Sequence, residues 1–410
     1  MPIHTRCRIC DSTLPEPFLD LGRMPLANSF LSASEEFSSE ESFPLAVTSC
    51  RNCGLVQLDY VVPPERLYRH YLYVSSTAEA VRRYAQDLAT RLVNRYRLGS
   101  SDLVVELGSN DGLVLKAFQK QGTRVLGIEP ARNVAAIARK NGIPTVDEFF
   151  CRETARSLKG PEGPASVILG RHVFAHINDL HDFFEGVSSL LAPDGVLLIE
   201  VPYLGNLIQD LEFDTIYHEH LSYVSLQPMM HLCQRHGFQV MDVETVPLHG
   251  GSVFFSIQRA NSRNRRTSRV EEMMEAERQA RLHDPGTLQG FSAKVFDWKR
   301  EFEEFIEKLA RSDAHLIGYG AAAKANTLLN FCAPVSEHLQ YILDKSPHKV
   351  GRFTPGTHRL VVSAESWDGN GASHMVILAW NFKQEIMAQM HPFSSKGGRF
   401  IIPIPRPEVV

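Results

Sequence analysis

Val104-Val105-Glu106-Leu107-Gly108-Ser109-Asn110-Asp111-Gly112 reads as an apolar strand that runs into a glycine-lined turn and then opens a helix. Glycine lets a ligand approach the backbone closely, and such a turn presents N–H groups beneath it. Twenty-one residues after Gly108, Glu129 ends the next apolar run, Val125-Leu126-Gly127-Ile128, where a carboxylate can accept both hydroxyls of a ribose. The combination suits adenosine. A dinucleotide site would instead show G-x-G-x-x-G with a helix N-terminus aimed at a pyrophosphate. The pattern here, E-x-G-x-N-D-G, suits a ligand without phosphate. A turn serving packing alone is the other reading, and the position of Glu129 argues against it.

Around this turn the apolar runs Leu103 to Glu106, Val125 to Ile128, Val167 to Leu169 and Val196 to Glu200 alternate with helical stretches, Leu113 to Lys120 and Val134 to Lys140. Strands separated by helices imply a parallel, doubly wound sheet. Upstream, Ala80, Val81, Tyr84, Leu88, Leu92, Val93 and Tyr96 recur at three- and four-residue spacing, which predicts a helix from Ala78 to Tyr96. Downstream, Val270 to Arg311 is helical and charged, broken near Asp284-Pro285-Gly286. A second α/β unit then starts, with strands at Ala314 to Gly318, Leu339 to Asp344 and His374 to Leu378. The expected division is an N-terminal module over 1–75, a cofactor-binding domain over 76–265 and a smaller Rossmann-like domain over 266–410.

The chain has 410 residues, 43% hydrophobic and 22% charged, enough to bury two or three cores. A net charge of −4 and no long basic run give no footprint for nucleic acid or an anionic membrane. Met1 to Asp11 carries no apolar stretch of signal-peptide length and no segment approaches the roughly 20 apolar residues of a membrane span. A cytoplasmic protein is expected. Four of its seven cysteines form two pairs, Cys7-x-x-Cys10 and Cys50-x-x-Cys53. Two such knuckles complete the tetrahedral four-sulfur shell that zinc favours, and four thiolates leave no open position, so the zinc is read as structural. Redox or incidental pairs are the alternative.

Past the strand end Glu200-Val201-Pro202-Tyr203 lies a dense titratable cluster, Asp214-Thr215-Ile216-Tyr217-His218-Glu219-His220-Leu221-Ser222-Tyr223. A catalytic metal is one reading, but alternate residues diverge on a helix and H-E-x-x-H spacing is absent. A buried polar network is another. General base catalysis is the simpler role, since a histidine can remove a moderately acidic proton. Methyl transfer to a carbon beside a ketone needs such a base to form the enolate, and nearby Tyr, His or Glu groups can stabilise its oxygen. His172 and His176 follow the strand at Val167 to Leu169, at the same sheet edge.

The first glycine turn resembles motif I of class I S-adenosylmethionine methyltransferases. The cysteine quartet, Glu106 to Gly112, Tyr217 to Tyr223, His249-Gly250-Gly251-Ser252 and Gly318-Tyr319-Gly320-Ala321-Ala322-Ala323-Lys324 occur in the same order in the zinc-containing sugar C-methyltransferases of antibiotic deoxysugar pathways, and the resemblance spans essentially the whole chain. Members similar to the enzyme of tetronitrose biosynthesis methylate C3 of a dTDP-linked 4-keto-6-deoxy sugar, and C5-methylating relatives share the architecture. The resemblance implies a class I methyltransferase domain flanked by the zinc module and the smaller Rossmann-like domain, acting as a monomer or weak dimer. It implies His220 as the base, with Tyr217, Glu219 and His176 around the sugar and Tyr71 or Tyr73 closing over it. Glu106, Gly108, Asn110, Asp111, Gly112, Glu129 and His172 are expected at S-adenosylmethionine, and His249 at the sugar. Val224 and Ala325 depart from the family pattern, which touches substrate preference.

Gly318 to Lys324 again joins a strand to a helix in a G-x-G-x-x-A form, with Asp344 24 residues after Gly320 at a strand end. Alone, this suggests NAD and an oxidoreductase. The resemblance instead assigns Gly318, Gly320, Lys324 and Asn326 to the nucleotide sugar, a tight helix–strand contact being the other reading of the turn. Lys345, Lys349 and Arg352 are candidates for further phosphate contacts or, equally, a solvated charged face. An O- or N-methyltransferase is the nearest rival; a non-enzymatic scaffold would be indifferent to loss of His220.

Overall fold

The structure is a computed structural model that describes residues 4–32, 37–69, 75–77, 79–246, 251–369 and 371–410. Three sheets organise it. The strand Leu103–Leu107 is buried at every position and sits inside a seven-stranded sheet. Across that sheet the order is Phe238–Val246, Ser252–Arg259, Leu191–Pro202, Ala165–Arg171, Leu103–Leu107, Arg124–Ile128, Thr145–Val146. The last five are parallel, and Ser252–Arg259 runs antiparallel to both its neighbours. This is the class I methyltransferase arrangement. The helices Leu113–Lys120 and Arg132–Lys140 follow their strands as the spacing predicts. The hairpin Phe238–Val246 with Ser252–Arg259 was not anticipated. The upstream helix runs Glu79–Tyr96, with Ala78 outside the described residues.

The C-terminal sheet has the order Val361–Ser363, Leu339–Asp344, Leu316–Tyr319, His374–Ile377, Arg399–Ile402, Glu408–Val409, parallel except for the last pair. That is the doubly wound order of a Rossmann-like unit. A helix over Pro285–Ala310 leads into it, with Asp284 accepting from the Gly286 amide at 2.8 Å and Pro285 in the first turn. Its buried stripe, Leu288, Phe291, Val295, Trp298, Phe302 and Ile306, recurs every three or four residues.

The N-terminal segment, read from sequence as loops and turns, forms antiparallel strands Leu19–Met24, Phe43–Ser49 and Val56–Leu58. A fourth strand, Ser222–Tyr223, comes from the histidine cluster. The module is also tied to the C-terminal unit: Leu31 and Phe353 exchange backbone hydrogen bonds, and Leu19, Leu45 and Val47 share one apolar cluster with Leu316 and Ile342. Among the described residues no helix is long and apolar enough to cross a membrane.

Gly108 has φ of +60°, and a Cβ there would lie 2.4 Å from Val173 Cγ2. Gly108→Ala should therefore lower stability by about 1–3 kcal/mol, through left-handed strain and overpacking, as read from urea unfolding. An unchanged midpoint would contradict this packing.

Candidate active site

The first glycine turn is built around two carboxylates. Glu129 Oε2 accepts from the Asn110 amide and Oε1 from the Ala131 amide, both at 2.8 Å, so the side chain is fixed at the strand end with lone pairs left for a ribose. Glu106 lies buried below the turn with Oε2 lacking a hydrogen-bond partner, and so does Asp111 Oδ1. Burial, with Asp111 and Glu129 nearby, pushes the Glu106 carboxyl up to about 8, against the pull of Arg171. Asp111 and Glu129 give the turn negative charge, and Glu106 can ionise when a cation arrives, which fits the sulfonium and ammonium groups of S-adenosylmethionine. Ser75 and Ser76 cover the turn, their amides donating to Asn110 Oδ1 at 2.8 Å and Asp111 Oδ2 at 3.2 Å. Tyr71, Tyr73 and His249 lie outside the described residues.

At the next strand ends, Glu200 is fully buried and accepts from Arg171 Nε at 2.8 Å and Tyr84 Oη–H at 3.1 Å. His172 Nε2 stands 3.5 Å from Glu200 Oε1, and its amide donates to the Glu200 carbonyl. Burial alone would raise the Glu200 carboxyl, but His172 and Arg171 hold it well below the usual range. Arg171 and Tyr84 escaped the sequence reading. The signal was Glu200 itself, one charge in an apolar strand whose partner had to be near.

The histidine cluster forms a column of rings. His176 and His220 are stacked at 5.2 Å between centroids, and Tyr217 lies 4.1 Å from His220. His220 Nδ1 is 2.8 Å from the Thr215 carbonyl, which only accepts, so Nδ1 carries the proton. Nε2 is then the basic nitrogen, and the Tyr217 hydroxyl donates to it at 2.9 Å. Burial pushes His220 down to about 4 and, with the charges of His220 and His172, holds His176 well below the ordinary histidine value. Both rings are neutral near pH 7. Glu219 Oε1 accepts from Asn28 Nδ2 at 2.6 Å, and its carbonyl accepts from the Tyr68 hydroxyl at 3.0 Å. His218 points elsewhere, toward the Pro44 carbonyl at 3.1 Å. Asn28 and Tyr68 come from the N-terminal module, and no local pattern marked them.

The cysteines converge as the spacing required. The four Sγ atoms lie within 4.8 Å of one another, with Cys7 and Cys53 at 3.5 Å and Cys10 and Cys50 at 3.3 Å. A tetrahedral zinc with Zn–S of about 2.3 Å sets its sulfurs about 3.8 Å apart, so the quartet fits the ion with little adjustment.

The second glycine turn is closed by its own chain. Asp344, the residue that would hold a dinucleotide ribose, accepts from the Ala321 amide at 2.8 Å and the Ser346 amide at 2.7 Å. Lys349 donates to the Ala321 carbonyl at 2.7 Å. Gly320 has φ of +93° and backs onto Ala379, while Gly318 faces Leu378. Asn326 is buried, its Nδ2 donating to the Ala27 carbonyl at 2.7 Å. Lys345 is 3.6 Å from Glu385, and the Arg352 backbone joins Lys349 and Val361. Lys324 Nζ is turned toward Trp380, 4.7 Å from its ring centre, and the Trp380 indole donates to Asp214 Oδ2 at 2.7 Å. These contacts show Gly318, Gly320 and Asn326 packed within the fold.

Family models match in three consecutive segments: a zinc binding domain over 7–68, a methyltransferase domain over 78–243 and a C-methyltransferase C-terminal domain over 247–405. The C-methyltransferase NovU of Streptomyces niveus is 36% identical over 404 residues, 98% of this chain and 96% of its own. The chain belongs to this C-methyltransferase family. It is an enzyme that uses S-adenosylmethionine and carries a structural zinc. A ubiquinone biosynthesis O-methyltransferase of Rhodopseudomonas palustris BisB5 is 24% identical over 28% of this chain and 47% of its own length. A solved magnesium protoporphyrin IX methyltransferase from Synechocystis PCC 6803 matches 43% of this chain and 79% of its own at 13% identity, with a TM-score of 0.33.

The zinc knuckles lead directly into the strand that pairs with the histidine cluster: Leu58 donates to the Leu221 carbonyl at 3.0 Å, and Leu221 donates to the Ala175 carbonyl at 2.7 Å. Cys53→Ser should lose zinc and speed hydrogen exchange at the Leu58 and Leu221 amides of the C-methyltransferase. Zinc loss with both amides still protected would contradict the coupling.

Proposed function

We propose that this C-methyltransferase methylates C3 of a dTDP-linked 4-keto-6-deoxy sugar through an enolate formed by His220. The carrying observation is the pair Tyr217 and His220: one nitrogen fixed as a donor to Thr215, the other a neutral base in contact with a phenol. A carbon acceptor requires such a base, because its C–H bond becomes nucleophilic only on deprotonation.

When bound at Glu106 to Gly112 and Glu129, S-adenosylmethionine supplies an electrophilic methyl on sulfur. The sugar ketone draws the Tyr217 hydroxyl away from Nε2, and the freed lone pair takes the proton from the neighbouring carbon. The same hydroxyl then donates to the enolate oxygen, where the charge develops. The carbanion forms the new C–C bond to the methyl as the S–CH₃ bond breaks, and the proton leaves from His220 to solvent. Glu219 and His176 border the sugar. His172, fixed on Glu200, stands at the cofactor edge. The nucleotide sugar spans the middle and C-terminal units; Lys324, whose charge reaches His220, is the C-terminal residue assigned to it, while Asn326 is held by Ala27. The support for the sugar is the motif resemblance together with the family. The oxidoreductase reading finds its ribose-binding Asp344 already committed to two amides.

Incubation with S-adenosylmethionine and a panel of dTDP-4-keto-6-deoxy sugars should yield a sugar nucleotide heavier by one CH₂, seen by mass spectrometry. His220→Asn should reduce its rate by about a hundredfold or more. Product formation at an unchanged rate in His220→Asn would remove the base from this residue. No product from any keto sugar would move the acceptor to another class.

A further inference from the structure

Tyr68 ends the short helix Pro64–Tyr68 just past the zinc-module sheet, yet both of its groups serve the histidine column. Its ring lies flat on His176, with centroids 5.3 Å apart and planes 7° apart. Its hydroxyl donates to the Glu219 carbonyl, one residue before His220, at 3.0 Å. Beyond His176 the stack continues to His220 and Tyr217, so two tyrosines close the ends of a column of two imidazoles. The helix end is anchored independently: the Arg69 guanidinium lies 4.7 Å from the Phe149 ring centre and donates to the Asp147 carbonyl.

We propose that Tyr68 is a positioning residue for the catalytic histidines: its ring fixes the plane of His176 and keeps water from the column, and its hydroxyl fixes the backbone that carries His220. The role rests on His220 being the base. Among the described residues His220 has no carboxylate partner to orient it. It is held by the Thr215 carbonyl, the Tyr217 hydroxyl and the His176 face, and among the described residues the charged or titratable groups that bear on it are His172, His176, Tyr217 and Lys324. None of these contacts stops the His176 ring from turning. The flat contact with Tyr68 does, and it covers one face of the His176 ring. Water there would stabilise the imidazolium and return His220 toward ordinary behaviour.

The test compares Tyr68→Leu and Tyr68→Phe by following histidine titration with NMR on ¹⁵N-histidine protein free of substrate, and then by kcat and KM. Tyr68→Leu should move the His220 titration upward toward the ordinary value of about 6.5 and lower kcat about tenfold, with KM for the sugar nucleotide changed less than about twofold. Tyr68→Phe keeps the ring and should keep the titration, costing at most a few-fold in kcat through the lost hydrogen bond. An unmoved His220 titration in Tyr68→Leu, or equal shifts in both variants, would overturn the proposal. The NMR arm needs no sugar, so it answers even where the acceptor is not the one proposed.

Discussion

The pairing of Val56–Leu58 with Ser222–Tyr223 is only two residues deep, yet three distant parts of the chain depend on it. On one side, Val56 follows Cys53 by three residues, so the strand is set by the zinc knuckle. On the other, His220 precedes Ser222 by two, and the intervening Leu221 donates to Ala175, beside His176. Without this pairing the segment that carries His220 would lose its backbone tie to the N-terminal module. Binding free energy that orders the small metal module can thus reach the proposed base through backbone hydrogen bonds.

Chemistry at this site is arranged by burial and neutral contacts. The Thr215 carbonyl selects the tautomer, and burial keeps the ring unprotonated, so Nε2 is available over the whole physiological range. Tyr217 donates to Nε2 at rest, and in the proposed reaction it would pass to the substrate oxygen. At the end of the adjacent strand the cofactor turn has the opposite character, with the Asp111 and Glu129 carboxylates favouring a positively charged donor. Neutral base and acidic cradle meet at the carboxyl ends of adjacent parallel strands, where doubly wound sheets hold ligands.

Much of this was legible because it was local. Continuous apolar runs marked the parallel strands, a helical stripe marked Glu79–Tyr96, and C-x-x-C marked each knuckle before their convergence was seen. His220 and Tyr217 stood out by density and His176 by its spacing from His172 and by resemblance, and these three rings do come together. What stayed hidden was set by tertiary contact. Ser222–Tyr223 is too short to read as a strand and exists only against Val56–Leu58. Tyr68 and Asn28 reach the site from a module that reads as a metal staple. The G-x-G-x-x-A turn has the spacing of a phosphate cradle, but Asp344 and Lys349 close it from within, and spacing does not reveal which acceptor an amide has found. Asn326, expected at the substrate, also ties the helix to the N-terminal module through its bond to the Ala27 carbonyl, a contact that spacing does not reveal.

In the proposed reaction His220 removes the proton from carbon before the methyl is transferred. The most direct measurement is solvent-deuterium exchange at the carbon beside the ketone, followed by NMR, with S-adenosylhomocysteine present so that no methyl can be transferred. The account predicts exchange in the native enzyme and its loss in His220→Asn. Methyl transfer by the native enzyme with no exchange, or exchange undiminished in the variant, would contradict it.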